Sequence, residues 1–218
     1  MAHSIEEVRI KKVVKETVIR LLELNCVPIG VSNRHVHLRY EDYIKLYPNE
    51  VLKPKKYLNQ PGEFAAEQTV TIVGPRGKAE RVRILGPFRK ESQVEISQTD
   101  ARVLGLKAPL RLSGDLDGTP GVKLESPYGK LELPRGLIVA KRHIHMGLDD
   151  AKRLGLKQGD EVRVKVNTEG RSLIFEQVTI RANEKMVKEM HLDTDEANAA
   201  GIGKDTWAEI LLDTKSFC

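Results

Sequence analysis

Aromatic residues are scarce in this sequence: four Phe, five Tyr and one Trp among 218 residues. A non-enzymatic RNA-binding barrel stacks bases on such rings, so it has little to build with here, although the net charge of +5 would suit it. Cysteine is scarcer still. Cys26 and Cys218 stand near the two edges of the chain, which excludes a disulfide framework, and neither has a histidine beside it in sequence to activate a thiolate. No apolar run approaches the roughly 18 to 20 residues that a membrane-spanning helix needs. The opening MAHSIEEVRIKK has neither an apolar h-region nor a small-residue cleavage site, so a cytoplasmic protein is expected, with no membrane partner. Also missing is any succession of strand, Gly-rich loop and helix, which argues against a Rossmann or Walker-type nucleotide fold. What is present is ordinary for a globular chain: 40% hydrophobic and 31% charged, enough length for one large or two small domains. The 36 basic and 31 acidic residues are interspersed, a balance that suits an anionic small molecule at least as well as a nucleic acid.

Residues 4–24 read as one amphipathic helix, with Ser4 and Glu7 as a capping box and Ile5, Val8, Val14, Val18, Leu21 and Leu22 near one face. After Pro28 the hydrophobic period changes to two. Residues 69–73 and 81–85 flank Gly-Pro-Arg-Gly, 122–125 and 130–133 flank Ser-Pro-Tyr-Gly, and 161–166 and 172–175 flank Asn-Thr-Glu-Gly. Three hairpins are predicted. Short strands at this spacing predict a mainly β fold: two small antiparallel β-barrels with short capping helices, behind the N-terminal amphipathic helix.

An internal repeat organises the rest. Val31-Ser-Asn-Arg-His-Val-His-Leu38 recurs as Val139-Ala-Lys-Arg-His-Ile-His-Met146, 108 residues later, which is half the chain. Residues 99–106, 149–156 and 195–202 each read as a short helix closed by glycine, and residues 40–46 fill a fourth such slot. Each helix follows a polar pair with one residue between its members: His35 and His37, Glu95 and Ser97, His143 and His145, His191 and Asp193. Four copies of a strand end and helix could therefore deliver side chains to one shared site.

Five of the six histidines occupy those pairs. Alternate residues of a strand point to one side, so each His-x-His sets two imidazoles together as neighbouring metal ligands would stand. Zinc is the metal expected, two per chain, with a carboxylate from Glu95 or Asp193 completing a set. Gly86-Pro-Phe-Arg-Lys90 puts Arg89 near the same rim, where a planar guanidinium can grip phosphate. Arg111-Leu-Ser-Gly-Asp115 can turn backbone N–H groups around an anion. Arg34 and Arg142 precede the histidine pairs and point away from them by alternation; their role stays open, with supporting or inter-barrel ion pairs favoured over catalysis. A zinc-dependent hydrolase could use the same histidines and remains the alternative reading.

Residues 27–38, residues 86–97, Gly136-Leu-Ile-Val-Ala-Lys-Arg-His-Ile-His-Met146 and His191-Leu-Asp-Thr-Asp-Glu-Ala-Asn198 together resemble the PduL-type phosphate propanoyltransferases, the phosphotransacylases of bacterial microcompartments and related cytosolic forms. The resemblance runs from about residue 26 to the C-terminus. It implies a di-zinc site between two barrels and the exchange of a short acyl group, propanoyl or acetyl, between coenzyme A and inorganic phosphate. His35, His37 and Glu95 would hold one zinc, and His143, His145 and His191 the other. Arg89 would be catalytic and would bind phosphate with Ser113. Lys55 and Lys56, in the basic loop Lys53-Pro-Lys-Lys56, are candidates for the coenzyme A phosphates. The implied division is 1–25 for the helix, 26–33 with 141–218 for one barrel, and 34–140 for the other, with an insertion near 50–68. Implied partners are acyl-CoA, phosphate, further copies of the chain in a homo-oligomer, and microcompartment shell proteins. Only Asn25 and Cys26 separate the helix from the first strand, so it either packs on its own barrel or addresses the chain to a microcompartment.

Overall fold

The computed structural model describes residues 10–16 and 24–212. Fifteen strands among these residues form two sheets. One closes into a barrel in the order β1 (Cys26–Ser32), β14 (Glu189–Asp193), β11 (His143–Met146), β13 (Leu173–Ala182), β12 (Glu161–Val166) and β15 (Trp207–Leu211). The other is a curled, open sheet in the order β7 (Leu110–Arg111), β10 (Leu137–Ala140), β6 (Gln93–Glu95), β2 (His35–His37), β5 (Lys78–Gly86), β4 (Phe64–Val73), β8 (Val122–Glu125) and β9 (Lys130–Leu133). A further strand, β3 (Pro54–Tyr57), pairs with β4. The two halves of the chain exchange a strand. β1 from the first half pairs with β14 and β15, while β10, which leads into the second repeat, pairs with β6 and β7.

The three predicted hairpins are β4–β5, β8–β9 and β12–β13, each antiparallel. The sheets as wholes are mixed, not antiparallel: β1 with β14, β11 with β13, β2 with β5, and β10 with both β6 and β7 run parallel. The reason lies in the connections. Between β2 and β5 the chain makes a helix and two strands, ample for the crossover that parallel pairing requires. Turn signals reveal only neighbours joined by short loops.

Alternation fixes which way the site residues point. Val36 between the first two histidines, Val94 between Gln93 and Glu95, and Ile144 between the second two histidines are fully buried. Each is worth about 1.5–3 kcal/mol of apolar burial. A slip of one residue would turn these into the site and bury the polar neighbours in the core, so the register is strongly held. Val36 and Val94 join Ile84, Ile72 and Leu137 in one core, and Ile144 joins Ile180, Met190 and Val164 in the other.

Four short helices, α1 (Tyr40–Leu46), α2 (Gln98–Leu104), α3 (Leu148–Arg153) and α4 (Thr194–Ala199), follow the four polar pairs. Capping boxes open α2 and α4. Ser97 accepts from the Asp100 N–H at 3.1 Å, and Asp193 from the Glu196 N–H at 2.8 Å. Past the ends of α2, α3 and α4, Gly105, Gly155 and Gly201 take φ of 70°, 69° and 61°, the left-handed conformation that glycine adopts without strain. Residues 10–16 are helical and exposed. The predicted capping box of Ser4 and Glu7, the apolar Ile5, Val8, Val18, Leu21 and Leu22, and Cys218 lie outside the described residues. No described helix is long and apolar enough to cross a membrane.

Candidate functional site

β2 and β6 pair antiparallel with His35 opposite Glu95 and His37 opposite Gln93. The Glu95 carboxylate therefore meets both imidazoles, at 3.4 Å from His35 Nε2 and 3.8 Å from His37 Nε2. β11 and β14 repeat the arrangement, with His143 opposite His191 and His145 opposite Glu189. There the rings of His143, His145 and His191 lie 4.6–5.1 Å apart between centroids. In each triad one ligand atom per residue falls within 4.8 Å of the others. His35 and Glu95 of the first triad, with His143 and His191 of the second, line one narrow space.

The donors suit a metal. His35 Nδ1 and His143 Nδ1 each stand 2.8 Å from a backbone carbonyl, of Asn33 and Lys141, which makes Nδ1 the protonated nitrogen and leaves Nε2 free to ligate. Both ring nitrogens of His145 are buried without a hydrogen-bond partner, a costly state that a metal at Nε2 or Nδ1 relieves. Burial, then the neighbouring imidazoles, lowers the pKa of His143 to about 4 and that of His145 to about 2. Both are thus neutral near pH 7, the state that ligates. In the first triad burial disfavours charge on His35, but Glu95 outweighs it and raises the pKa. Burial alone would push Glu95 up; His35 chiefly, with His37 and Arg89, holds it well below the usual carboxylate range.

Arg89 follows β5, its N–H bonded to the Leu38 carbonyl at the end of the first histidine strand. Its Nη1 donates to Ser113 Oγ at 3.0 Å, and its Nη2 lies 3.5 Å from Glu63. Gln93 ties this group to the first triad. Its Nε2 donates to Glu95 Oε1 at 2.5 Å and to Ser113 Oγ at 2.9 Å, while its Oε1 accepts from the Gly114 N–H at 2.8 Å. The loop at 111–115 offers fewer N–H groups to an anion than expected, because those of Gly114 and Asp115 are bonded within the protein.

Asp193, the alternative carboxylate ligand, is not in the second triad: it caps α4. Its place beside the triad is taken by Glu189, four residues earlier on the same strand face, with Oε2 at 3.2 Å from His191 Nε2. Asn59 donates to Glu189 Oε1 at 2.7 Å and Gln60 to Oε2 at 3.1 Å. Gly30 makes room, since a Cβ there would stand 2.9 Å from Glu189 Oε1. Burial alone would raise the Glu189 carboxyl, but His191, Gln60 and Asn59 lower it to about 2. Gln93 and Glu189 are residues in contact with the triads that sequence reasoning missed; the strand alternation that flagged Glu95 and His191 reaches both two residues upstream. Arg34 and Arg142 pair with Asp100 at 2.6 Å and Glu196 at 2.9 Å, the N3 carboxylates of the two capping boxes.

Two clefts open on the triads, separated by residues 58–63. One of about 330 Å³ reaches His35 and His191 and is lined also by Lys56 and Arg83. The other, of about 600 Å³, reaches His145 past Leu148, Met186 and Ala182. Lys56 is thus brought to the site, whereas Lys55 stands exposed on β3 outside the lining of that cleft.

Residues 28–203 match the family described as phosphate propanoyltransferase. A phosphate propanoyltransferase of Limosilactobacillus reuteri is 49% identical over 214 residues, covering 97% of this chain and all of the relative. One of Salmonella typhimurium is 55% identical over 88% of this chain and 92% of its own length. One of Citrobacter freundii is 57% identical over 80% and 83%.

Proposed function

The chain belongs to the phosphate propanoyltransferase family, and from that premise we propose that it exchanges a short acyl group, propanoyl or acetyl, between coenzyme A and inorganic phosphate. It is an acyltransferase. A phosphate oxygen attacks the thioester carbonyl, the C–O bond forms, the C–S bond breaks, and the proton of hydrogen phosphate ends on the departing sulfur. The observation that carries the reading is the pair of donor triads, whose His35, Glu95, His143 and His191 line one space, with the Arg89 guanidinium bonded through Ser113 and Gln93 to the first of them.

His35, His37 and Glu95 would hold one zinc, and His143, His145 and His191 a second, supplying Lewis acidity and a soft partner for sulfur. The chain's own side chains do the rest. Arg89 presents a fork that matches a phosphate edge, and Ser113 Oγ, bonded to it, sets the angle of that fork. Gln93 locks Ser113 to Glu95, so the phosphate group and the first triad move as one body. Holding the two reactants in register this way replaces a bimolecular encounter with an oriented one. The cleft bordered by Lys56 and Arg83 suits the phosphates of coenzyme A, with the pantetheine arm leading to His35 and His191. Ile10, Val13 and Val14, each more than half exposed on the N-terminal helix, support its use as an address to microcompartment shell proteins.

The test is the phosphate dependence of thiol release from propanoyl-CoA by protein of measured zinc content. Release that requires phosphate and yields propanoyl phosphate, with about two zincs per chain, is expected. Release of propanoate without phosphate would establish the hydrolase instead, and full activity after chelation would remove zinc from the reading.

A further inference from the structure

β13 pairs parallel with β11 so that Arg181 stands level with His145 and Thr179 with His143. Residues level in a ladder share a face, and the intervening Ile180 is fully buried in the barrel core. Arg181 therefore rises beside His145 on the side of the triads. Among the described residues its guanidinium makes no hydrogen bond or ion pair, although it is only partly exposed. Three other arginines, by contrast, are matched by carboxylates: Arg39 with Asp42, Arg135 with Glu91, Arg142 with Glu196. Arg89 reaches the same region from the open sheet: its Nη2 lies 3.5 Å from Glu63, which lines the 600 Å³ cleft together with His145, and burial first, then the Arg89 charge, works against the Arg181 cation. A half-buried cation facing a second cation is unfavourable unless an anion sits between them.

We propose that Arg181 and Arg89 are two arms of one site for a phosphoryl dianion, gripping it from the barrel and from the open sheet respectively. The proposal deepens the acyltransfer reading and rests on it. Two sources could supply that group: inorganic phosphate, or the phosphates of coenzyme A. The geometry favours the first. Arg181 is flanked by His145 and Ala182, which line the 600 Å³ cleft, whereas Lys56 and Arg83 line the other. Two forks on opposite walls fix both the position and the rotation of a tetrahedral dianion, which one fork cannot do.

The experiment compares Arg181→Met, Arg181→Lys and Arg89→Lys in zinc-loaded protein, by steady-state kinetics and by melting temperature with and without inorganic phosphate. Arg181→Met should raise the KM for phosphate roughly tenfold or more, as expected for loss of a charge-assisted contact. It should leave the KM for propanoyl-CoA within about twofold, since those phosphates bind elsewhere. In phosphate-free buffer this variant should melt no lower than the parent, because it removes an uncompensated charge, and it should lose the stabilisation that phosphate gives the parent. Arg181→Lys should fall between the two. An unchanged KM for phosphate, a rise in the KM for propanoyl-CoA instead, or a lower melting temperature without phosphate would each overturn the proposal. If Arg89→Lys impairs phosphate use while Arg181→Met does not, only this inference fails; if neither does, the phosphate site of the acyltransfer reading fails with it.

Discussion

The two triads stand on the same pair of strands built twice, yet they place their single carboxylate differently. In the first, Glu95 sits among the ligand atoms and the amide of Gln93 supports it from the next outward position. In the second, His191 takes the ligand position and Glu189 takes the supporting one. The first set is therefore anionic, and its charge keeps His35 easy to protonate in the absence of a metal. The second is a set of three rings, two of which are held neutral by burial and by one another. A divalent ion would keep one positive charge on the ligands of the first set and both on those of the second, where the Glu189 carboxylate beside His191 would offset part of it from outside the ligand set. One scaffold, duplicated, thus yields two unlike donor sets through an exchange of one acidic residue.

The comparison breaks first at the ligands. His37→Ala and His145→Ala should each slow phosphate-dependent transfer at least about a hundredfold, the several kcal/mol that a Lewis acid supplies. Elemental analysis should find about one zinc lost from each variant, whereas loss of both from either would mean that the triads are not independent. Next in size is Arg89→Ala, expected to cost about 2–4 kcal/mol of transition-state stabilisation, with Arg89→Lys also poor; wild-type turnover in the lysine variant would take phosphate away from Arg89. Glu189→Gln should weaken zinc at the second triad about 10–100-fold in a chelator competition, while leaving the first at its parental affinity.

The helices that follow the histidine pairs differ in the same instructive way. Asp42 of α1 is buried and bonded to Arg39, Lys45 and Ser92, whereas Asp150, at the same place in α3, approaches only Arg153 at 4.0 Å. Asp42→Asn should cost about 1–3 kcal/mol and Asp150→Asn under about 0.5, by chemical denaturation. Burial works against the Asp42 carboxylate, but Arg39, Ser92 and Lys45 prevail and depress its pKa. Its folded value is thus below the unfolded one, near 3.9. The contribution is complete above that unfolded value and disappears as pH falls through the folded one, so Asp42→Asn should flatten the acid limb of the stability curve. The smallest effect belongs to the basic loop. Lys56→Ala should raise the KM for coenzyme A a few-fold at low salt, and Lys55→Ala should not, a contrast that vanishes if neither lysine meets the cofactor.

What the sequence makes legible is what alternation and short loops encode. His35, His37, His143 and His145 announce themselves because two imidazoles on one strand face need no partner strand to be recognised. Glu95 follows from its own strand, since Val94 and Ile96 beside it are apolar. Asp193 misleads for a local reason: it lies at once on the strand face of His191 and at the start of a helix, and the spacing Asp193-x-x-Glu196 marks it as a cap. Arg181 and Glu189 stay hidden because their meaning depends on which strand lies beside theirs, and both depend on β11, to which no short turn joins them. Nor does any turn signal foretell the parallel pairs, which depend on crossovers of many residues.

The exchanged strand sets an order of events during synthesis. β1 is made first among the described strands, yet its two neighbours are the last two of them, β14 and β15. A nascent chain can complete much of the open sheet while Cys26–Ser32 waits with unpaired backbone groups on both edges. The barrel then closes only once those strands have been made, through pairings of high sequence separation such as Ile29 with Met190 and Cys26 with Glu209, the slowest kind of contact to find. Truncation within the final strand should therefore release the first one as well, and expose Val27 to the proteases and chaperones that survey unfinished proteins.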